Sequence, residues 1–304
     1  MNKFIKKTLL FCVPVLIFIL IMELLLRNIP NDYSYKKKYL DQHSNEIQIL
    51  FLGSSHAYRA INPKFIHSNS FNAAYVSQSL DYDIEILKKY EKQSKQLKYI
   101  VIPIDYMSLF SRLETEVESW RVKNYTIYYG FIRRYNFNDK FEILNGKILE
   151  KIFRIVNFYF KNDSSLTCNN LGWGIKYSSK KNKDLIATGK AAAKRHTKKD
   201  STFFNKNVAI VNEIIAIAKA KNAKVIFYTN PAYETYVSNL NEEQLQKNYS
   251  TIKSITKSNV NVSYYDFLRD KSFDAKDFFD ADHLNAIGAE KFSKKMDSII
   301  ISLK

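Results

Sequence analysis

The chain begins with one long apolar run. Residues Thr8 to Leu26 contain a single charged residue, Glu23, and three lysines precede them. As a helix rising 1.5 Å per residue, this run would span about 28 Å, close to the hydrocarbon thickness of a bilayer. No small-residue cleavage signal follows it. The pattern predicts an uncleaved single-pass membrane anchor over residues 1–27.

The charges on either side of this run bear on its orientation. Three lysines lie before it, and Arg27 and Lys36 to Lys38 lie after it, so the positive-inside rule is nearly balanced. A short tail inside and a large domain outside is the common arrangement for such an anchor. We therefore predict a cell-membrane protein whose main domain is extracytoplasmic.

Beyond a polar linker at 28–45, short apolar runs alternate with amphipathic segments. The pattern predicts buried strands at 47–52 and 99–104 and further strands at 224–229 and 262–266. The amphipathic segments predict helices near 81–97, 207–221, 242–257 and 286–303. This alternation is typical of the α/β class, here a three-layer αβα domain over 46–304 with a mainly parallel, flavodoxin-like sheet. Residues 111–204 interrupt the alternation and are predicted to be an insertion.

A net charge of +17 raises the question of an anionic partner. The lysines are scattered, and the sequence has no zinc-finger spacing, RNP1-like strand or recognition-helix signature. We therefore predict solvated surface and no nucleic-acid site, and expect anionic lipid or glycan to be the better partner. Cys12 and Cys168 form neither a disulfide framework nor a metal cluster. No metal or organic cofactor is predicted.

A serine turn follows the first predicted strand. The segment is Phe51-Leu-Gly-Ser-Ser-His-Ala-Tyr-Arg-Ala-Ile-Asn-Pro63. A serine directly after a buried strand and a glycine can expose its hydroxyl at the edge of a sheet. The same turn can offer backbone N–H groups to a developing oxyanion. Taken alone, the pattern fits a phosphate-binding turn or a simple helix cap equally well.

A second motif, near the C-terminus, combines aspartate with histidine. Asp280 and His283 lie three residues apart, just before the last predicted helix, on a loop or first helical turn. That spacing lets the carboxylate reach Nδ1 of the imidazole and leaves Nε2 for a serine. Asp282 is the rival for the orienting role, or a solvated turn residue. Asn285 is a candidate cap for the helix that follows.

Together the two motifs resemble the SGNH hydrolase superfamily, also called GDSL-like esterases. Gly53-Ser54-Ser55 is similar to the first block of that family, and Asp280-Ala-Asp-His283 to its last block. Leu-Gly-Ser-Ser after a membrane anchor further resembles the envelope branch, which includes the D-alanine transfer protein of teichoic acid and polysaccharide O-acetylation proteins. The resemblance implies that Ser55 is the nucleophile, His283 its general base and Asp280 the orienting partner.

Two positions depart from the family pattern. The block that usually supplies an oxyanion-binding glycine is 71–79 here; it lacks glycine, and the backbone N–H of Ser77 is the candidate donor. The third block usually ends in asparagine, whereas this chain has Asp105, which when ionised accepts hydrogen bonds but cannot donate them. His56 and Arg59 are expected near the rim of the site, either touching substrate or packing at the surface.

The resemblance implies acyl transfer through a serine acyl-enzyme. If a sugar hydroxyl takes the acyl group, the protein is an O-acyl (O-acetyl) transferase of a cell-surface polysaccharide or other glycan; if water takes it, the protein is an esterase. A separate multi-span membrane protein that supplies the acyl group is a further expectation of the resemblance. The alternative is a non-catalytic SGNH-like component of an envelope polysaccharide assembly or export system.

Overall fold

The computed structural model describes residues 2–163, 165–177 and 184–303. Residues 164 and 178–183 of the predicted insertion lie outside the described residues. The chain divides into two compact units. The helical unit comprises Met1–Lys37 and Val117–Leu166, and the sheet unit comprises Lys38–Glu116 and Thr167–Lys304.

The sheet unit is built on a five-stranded sheet. Its strands are β1 (Ile49–Phe51), β2 (Ser70–Asn72), β3 (Tyr99–Pro103), β4 (Lys224–Thr229) and β5 (Val262–Asp266). Their order is β2-β1-β3-β4-β5, and every neighbouring pair is parallel. Every residue of β1, β2 and β3 is buried, as expected where both faces of a parallel sheet are covered. The predicted α/β class with a mainly parallel sheet is confirmed.

Helices flank the sheet within the sheet unit, and helices also make up much of the helical unit. In chain order they are α1 (Asn2–Asn28), α2 (Asp32–His43), α3 (Ser55–Ala60), α4 (Leu80–Tyr90), α5 (Val122–Asn124), α6 (Ile148–Lys161), α7 (Leu185–His196), α8 (Phe204–Ala220), α9 (Glu234–Val237), α10 (Glu242–Lys257) and α11 (Ala286–Ser302). The four predicted helices correspond to α4, α8, α10 and α11. The first ends earlier than predicted, because the residues after Tyr90 are polar and form turns.

The two compact units follow a different division from the predicted domain boundaries. Most of the predicted linker, 28–45, is helix α2. The predicted insertion is divided, since Val117–Leu166 belongs to the helical unit and the described residues after it belong to the sheet unit. The boundaries of 1–27, 28–45 and 46–304 therefore remain a prediction.

Helix α1 is long and apolar enough to cross a membrane. Its side chains are exposed over most of residues 4–21, but its last turns belong to the helical unit. Met22 and Leu26 are buried together with Ile29 and with Ile155 of α6. Glu23 accepts hydrogen bonds from the backbone N–H groups of residues 142 and 143, at 3.0 and 2.9 Å. The end of α1 is thus part of the folded unit.

Candidate active site

The turn between β1 and α3 sets the position of Ser55. Gly53 has φ +117°, and a Cβ built on it would lie 2.5 Å from Cδ of Pro103. Its N–H donates to Oδ1 of Asp83 at 2.7 Å. Ser54 then caps α3, because its Oγ accepts the N–H of His56 at 3.3 Å. Ser55 is therefore the first residue of α3, directly beyond the carboxyl end of β1.

A short hairpin carries the second motif. Strands β6 (Phe278–Asp280) and β7 (His283–Leu284) are antiparallel, and Asp280 is paired with His283. The predicted loop or helical turn is thus a hairpin. Asn285 caps α11 as predicted, because Oδ1 accepts the N–H groups of residues 287 and 288 at 2.9 and 3.1 Å. The pairing holds Asp280 and His283 side by side at the start of that helix.

Ser55, His283 and Asp280 form one continuous chain of hydrogen bonds. Oγ of Ser55 lies 2.8 Å from Nε2 of His283, and Nδ1 of His283 lies 2.6 Å from Oδ1 of Asp280. A carboxylate can only accept, so Nδ1 carries the proton and Nε2 accepts from the serine hydroxyl. Oδ1 of Asp282, the rival partner, lies 3.4 Å from Nδ1. The geometry favours Asp280 for the orienting role.

His56 is buried beneath this chain and does not lie at the rim. Its side chain is 4% exposed, with Nδ1 2.7 Å from Oδ2 of Asp105 and Nε2 3.4 Å from Oδ2 of Asp282. Burial alone would lower the pKa of His56, but the two carboxylates outweigh it and raise the pKa to about 10. At neutral pH the ring is an imidazolium, 4.8 Å between centroids from the ring of His283.

Asp105 serves as the acceptor that holds His56. It is buried at the carboxyl end of β3. Its Oδ1 accepts the backbone N–H of Asn230 at 2.8 Å, and the side-chain amide of Asn230 donates to both oxygens at 3.3 and 3.2 Å. With both oxygens accepting, Asp105 offers no donor to an oxyanion. Its contact is with His56 and not with a reacting group.

His196 is a member of the site that the sequence interpretation missed. It ends α7, its Nδ1 lies 2.9 Å from the hydroxyl of Tyr236, and its Nε2 lies 4.0 Å from Oδ2 of Asp282. Burial lowers the pKa of His196 to about 3, so the ring is neutral. It lies within a lysine-rich stretch that was interpreted as solvated surface, so it was not considered as a site residue. Its one distinguishing signal is rarity, because the chain has five histidines and three of them meet at this site.

Ser77 has a backbone conformation that favours glycine. Its φ is +61°, in the left-handed region, where a non-glycine residue costs about 1–3 kcal/mol. The loop around it is tied to the serine turn, since Tyr75 N–H donates to the carbonyl of Gly53 at 3.2 Å. Gln78 donates to the same carboxylate as Gly53, that of Asp83, at 2.6 Å. Ser77 thus has a left-handed backbone beside the serine turn, in the block where the resemblance led us to expect a glycine whose N–H binds the oxyanion.

Arg59 contacts the orienting carboxylate. Its Nη1 lies 3.4 Å from Oδ2 of Asp280, and its guanidinium carbon lies 3.9 Å from the ring centroid of Tyr177. The side chain is 13% exposed. Arg59 is therefore held between a carboxylate and an aromatic face, which fixes the second oxygen of Asp280 while the first binds His283.

The donor atoms of His56, Asp282 and His283 lie within 4.8 Å of one another, a spacing that could hold a metal ion. The chemistry of these donors argues against it. Both ring nitrogens of His283 are engaged, by Ser55 and Asp280, and the two ring nitrogens of His56 face the carboxylates of Asp105 and Asp282. A metal at this place would have to displace the hydrogen-bond chain.

The comparisons with known proteins are sparse. No protein-family model matches the chain, and no curated protein matches it. One similar solved structure is a protein from Streptococcus pneumoniae provisionally described as a platelet activating factor, with 12% identity, a TM-score of 0.46, and 95% of this chain and 98% of that chain covered. Another is a protein from Bacteroides fragilis provisionally described as an acylhydrolase, with 11% identity, a TM-score of 0.42, and coverage of 89% and 98%. Both TM-scores lie below 0.5, so neither neighbour supports an argument about the activity of this chain.

Proposed function

We propose that this protein is a membrane-anchored serine enzyme of the SGNH type that transfers or hydrolyses acyl esters. The observation that supports the proposal is the hydrogen-bond chain from Ser55 through His283 to Asp280, with its 2.8 and 2.6 Å contacts. A nucleophile, a base and an orienting carboxylate in this order are the parts that acyl transfer requires.

The first half of the reaction forms an acyl-enzyme. Oγ of Ser55 attacks the ester carbonyl while Nε2 of His283 takes the hydroxyl proton. Asp280 stabilises the resulting imidazolium and keeps its orientation. The carbonyl oxygen becomes an oxyanion, for which the backbone N–H of Ser55, free of a helical acceptor at the start of α3, is one donor and the Ser77 loop supplies another. Collapse of this intermediate expels the alcohol, which takes the proton from His283.

The second half releases the acyl group to an acceptor. His283 removes the proton of an acceptor hydroxyl, whose oxygen attacks the acyl carbonyl and frees Ser55, to which the proton returns. We propose a sugar hydroxyl of a cell-surface polysaccharide as the acceptor, and a multi-span membrane protein as the source of the acyl group. This choice rests on the apolar helix α1, which would hold the sheet unit near envelope glycans, and on the resemblance of the Leu-Gly-Ser-Ser segment.

The proposal is tested by covalent labelling of the full chain in detergent micelles with a fluorophosphonate probe. Ser55→Ala should abolish labelling and any turnover of p-nitrophenyl acetate, since no nucleophile remains. Ser54→Ala is the matched control, because it removes the neighbouring hydroxyl, which only caps helix α3. Loss of this cap should lower the free energy of unfolding by about 1 kcal/mol. This control should still be labelled.

Persistent labelling of the Ser55→Ala protein would overturn the assignment of the nucleophile. Labelling without turnover would indicate a strict transferase that needs its own donor. If the wild-type protein is neither labelled nor active, and the combined change of Ser55, Asp280 and His283 leaves the cell-surface polysaccharide unaltered, the non-catalytic alternative is correct.

A further inference from the structure

Helix α6 presents an apolar stripe to the outside of the helical unit. Leu149, Phe153 and Phe160 are 64%, 63% and 79% exposed, and Ile148 and Ile152 beside them are exposed as well. These positions recur at helical spacing, so their side chains line one side of the helix. Large apolar side chains grouped in this way on a surface mark a contact with something other than water.

An adjoining side of α6 is fixed to the last turns of α1. Ile155 and Phe158 pack with Met22 and Leu26, and the hydroxyl of Tyr159 donates to the carbonyl of Leu25 at 3.1 Å. An ion pair joins the same unit, since Arg154, whose side chain is partly exposed, lies 3.1 Å from the buried carboxylate of Glu142. The exposed stripe is therefore held in place and is not a consequence of a loosely attached helix.

The position of α6 along α1 identifies what covers the stripe. Side chains of α1 are apolar and mostly exposed from Leu9 to Ile21, and buried side chains begin at Met22. If the exposed stretch lies in the hydrocarbon, the contacts with α6 begin where α1 leaves it, at the level of the headgroups. Lys147 and Lys161, both exposed, flank the two ends of α6, as cationic residues do on helices that lie along an anionic membrane surface.

We propose that α6 lies in the surface of an anionic lipid bilayer, with Leu149, Phe153 and Phe160 inserted at the boundary between headgroups and acyl chains. The exposed apolar surface of α1 and that of α6 then form one membrane-contacting surface of the helical unit. This goes beyond the proposed enzymatic function, because it adds a second membrane contact that would restrain the unit relative to the bilayer.

The test places a fluorophore on α6 of the full chain in vesicles of phosphatidylcholine and phosphatidylglycerol. In a Cys12→Ser, Cys168→Ser background, Phe153→Cys is labelled with an environment-sensitive dye, and a lipid spin label near the headgroup acts as quencher. We expect blue-shifted emission and strong quenching. Val260→Cys, at an exposed apolar residue of the sheet unit, is the matched control and should emit as in water. Adding Leu149→Gln and Phe160→Gln should abolish most of the quenching at position 153.

The outcomes distinguish the membrane contact of α6 from the anchoring by α1 and from the proposed enzymatic function. A label at position 153 that is not quenched, while a label on native Cys12 is quenched from within the bilayer, overturns the proposal and leaves the anchor intact. Blue-shifted emission without quenching by lipid means that protein covers the stripe, which also overturns it. Failure of the labelling experiment at Ser55 has no bearing on any of these readings, because none of them depends on activity.

Discussion

His56 is a charged residue buried between two carboxylates. A buried charge is costly unless it is paired and hydrogen-bonded, and His56 meets both conditions through Asp105 and Asp282. It also follows Ser55 directly in the chain, and its ring packs edge-on against that of His283. We infer that its fixed positive charge positions Asp282 and favours the negative charge that develops during acyl transfer.

We predict that His56→Gln leaves two buried carboxylates without their cation and lowers the free energy of unfolding by about 3–5 kcal/mol. Urea denaturation of the full chain in micelles at neutral pH measures this change. His67→Gln is the matched control, because His67 also pairs with an aspartate, Asp297, but its side chain is 79% exposed. The exposed pair of His67 and Asp297 should contribute no more than about 1 kcal/mol to the free energy of unfolding. Similar losses in the two variants would contradict the assigned role of His56.

The turn between β1 and α3 determines whether the nucleophile reaches the site. Gly53 meets two demands at once, a left-handed backbone and a close approach to the ring of Pro103 at the end of β3. The ring is part of the neighbouring strand and cannot swing aside as the tip of a flexible side chain would. A side chain at position 53 must therefore displace the backbone on which α3 and Ser55 begin.

We predict that Gly53→Ala abolishes fluorophosphonate labelling of Ser55 and destabilises the fold. Gly130→Ala is the matched control: Gly130 also has a positive φ, +76°, but a Cβ there would meet no heavy atom within 4 Å. Gly130→Ala should lower the free energy of unfolding only by the backbone strain, about 1–3 kcal/mol, and should leave labelling of Ser55 unchanged. Labelling rates and urea unfolding curves of the two variants provide the comparison. Equal labelling of both would show that the approach to Pro103 does not position Ser55.

The pKa values of two buried histidines are shifted in opposite directions, and these shifts make the stability of the whole molecule depend on pH in both the acid and the alkaline range. The pKa of His56 is raised from 6.5 to about 10, so its stabilisation is complete below pH 6.5 and is lost as the pH rises through about 10. The pKa of His196 is lowered from 6.5 to about 3, so unfolding takes up a proton there as the pH falls. Burial alone would raise the pKa of Asp282, but the neighbouring histidines outweigh it and hold this pKa well below its usual range. Protonation of Asp282 therefore adds to the loss of stability in acid.

We therefore predict that His56 makes the free energy of unfolding fall as the pH rises from 6.5 toward 10, and that His196 makes it fall as the pH drops from 6.5 toward 3. Burial raises the pKa of Asp83 to about 7, which acts in the opposite sense on the acid side, so the contribution of each histidine is measured as the difference between the wild-type protein and its variant. His56→Gln should flatten the alkaline limb, and His196→Asn should reduce the slope of the acid limb without removing it, since Asp282 still titrates. Chemical denaturation at a series of pH values measures both limbs. An alkaline limb that persists in His56→Gln would show that His56 is not the group that titrates.

Strands β1, β3 and β4 were predictable because a strand buried on both faces of a parallel sheet has a short apolar run, which is a local property of the sequence. Strand β5 lies at the edge of the sheet and is only partly buried, so its place in the alternation of strands and helices indicated it. The spacing of Asp280 and His283 is local in the same sense, as is the Gly-Ser-Ser turn. Strand β2 was missed, because Ser70-Phe-Asn72 contains only one large apolar residue and is a strand through its pairing with β1. Strand β2 is therefore determined by its pairing with β1 and not by its own composition.

Tertiary structure alone decided which polar groups meet. It buries His56 against Asp105, and it brings His196 from the far end of α7 to Asp282. The contact between Ser55 and His283 joins residues that lie 228 positions apart in the chain. Periodicity reports which side of an element is apolar, but the partner of a buried charge depends on distances between elements, which only the folded chain sets.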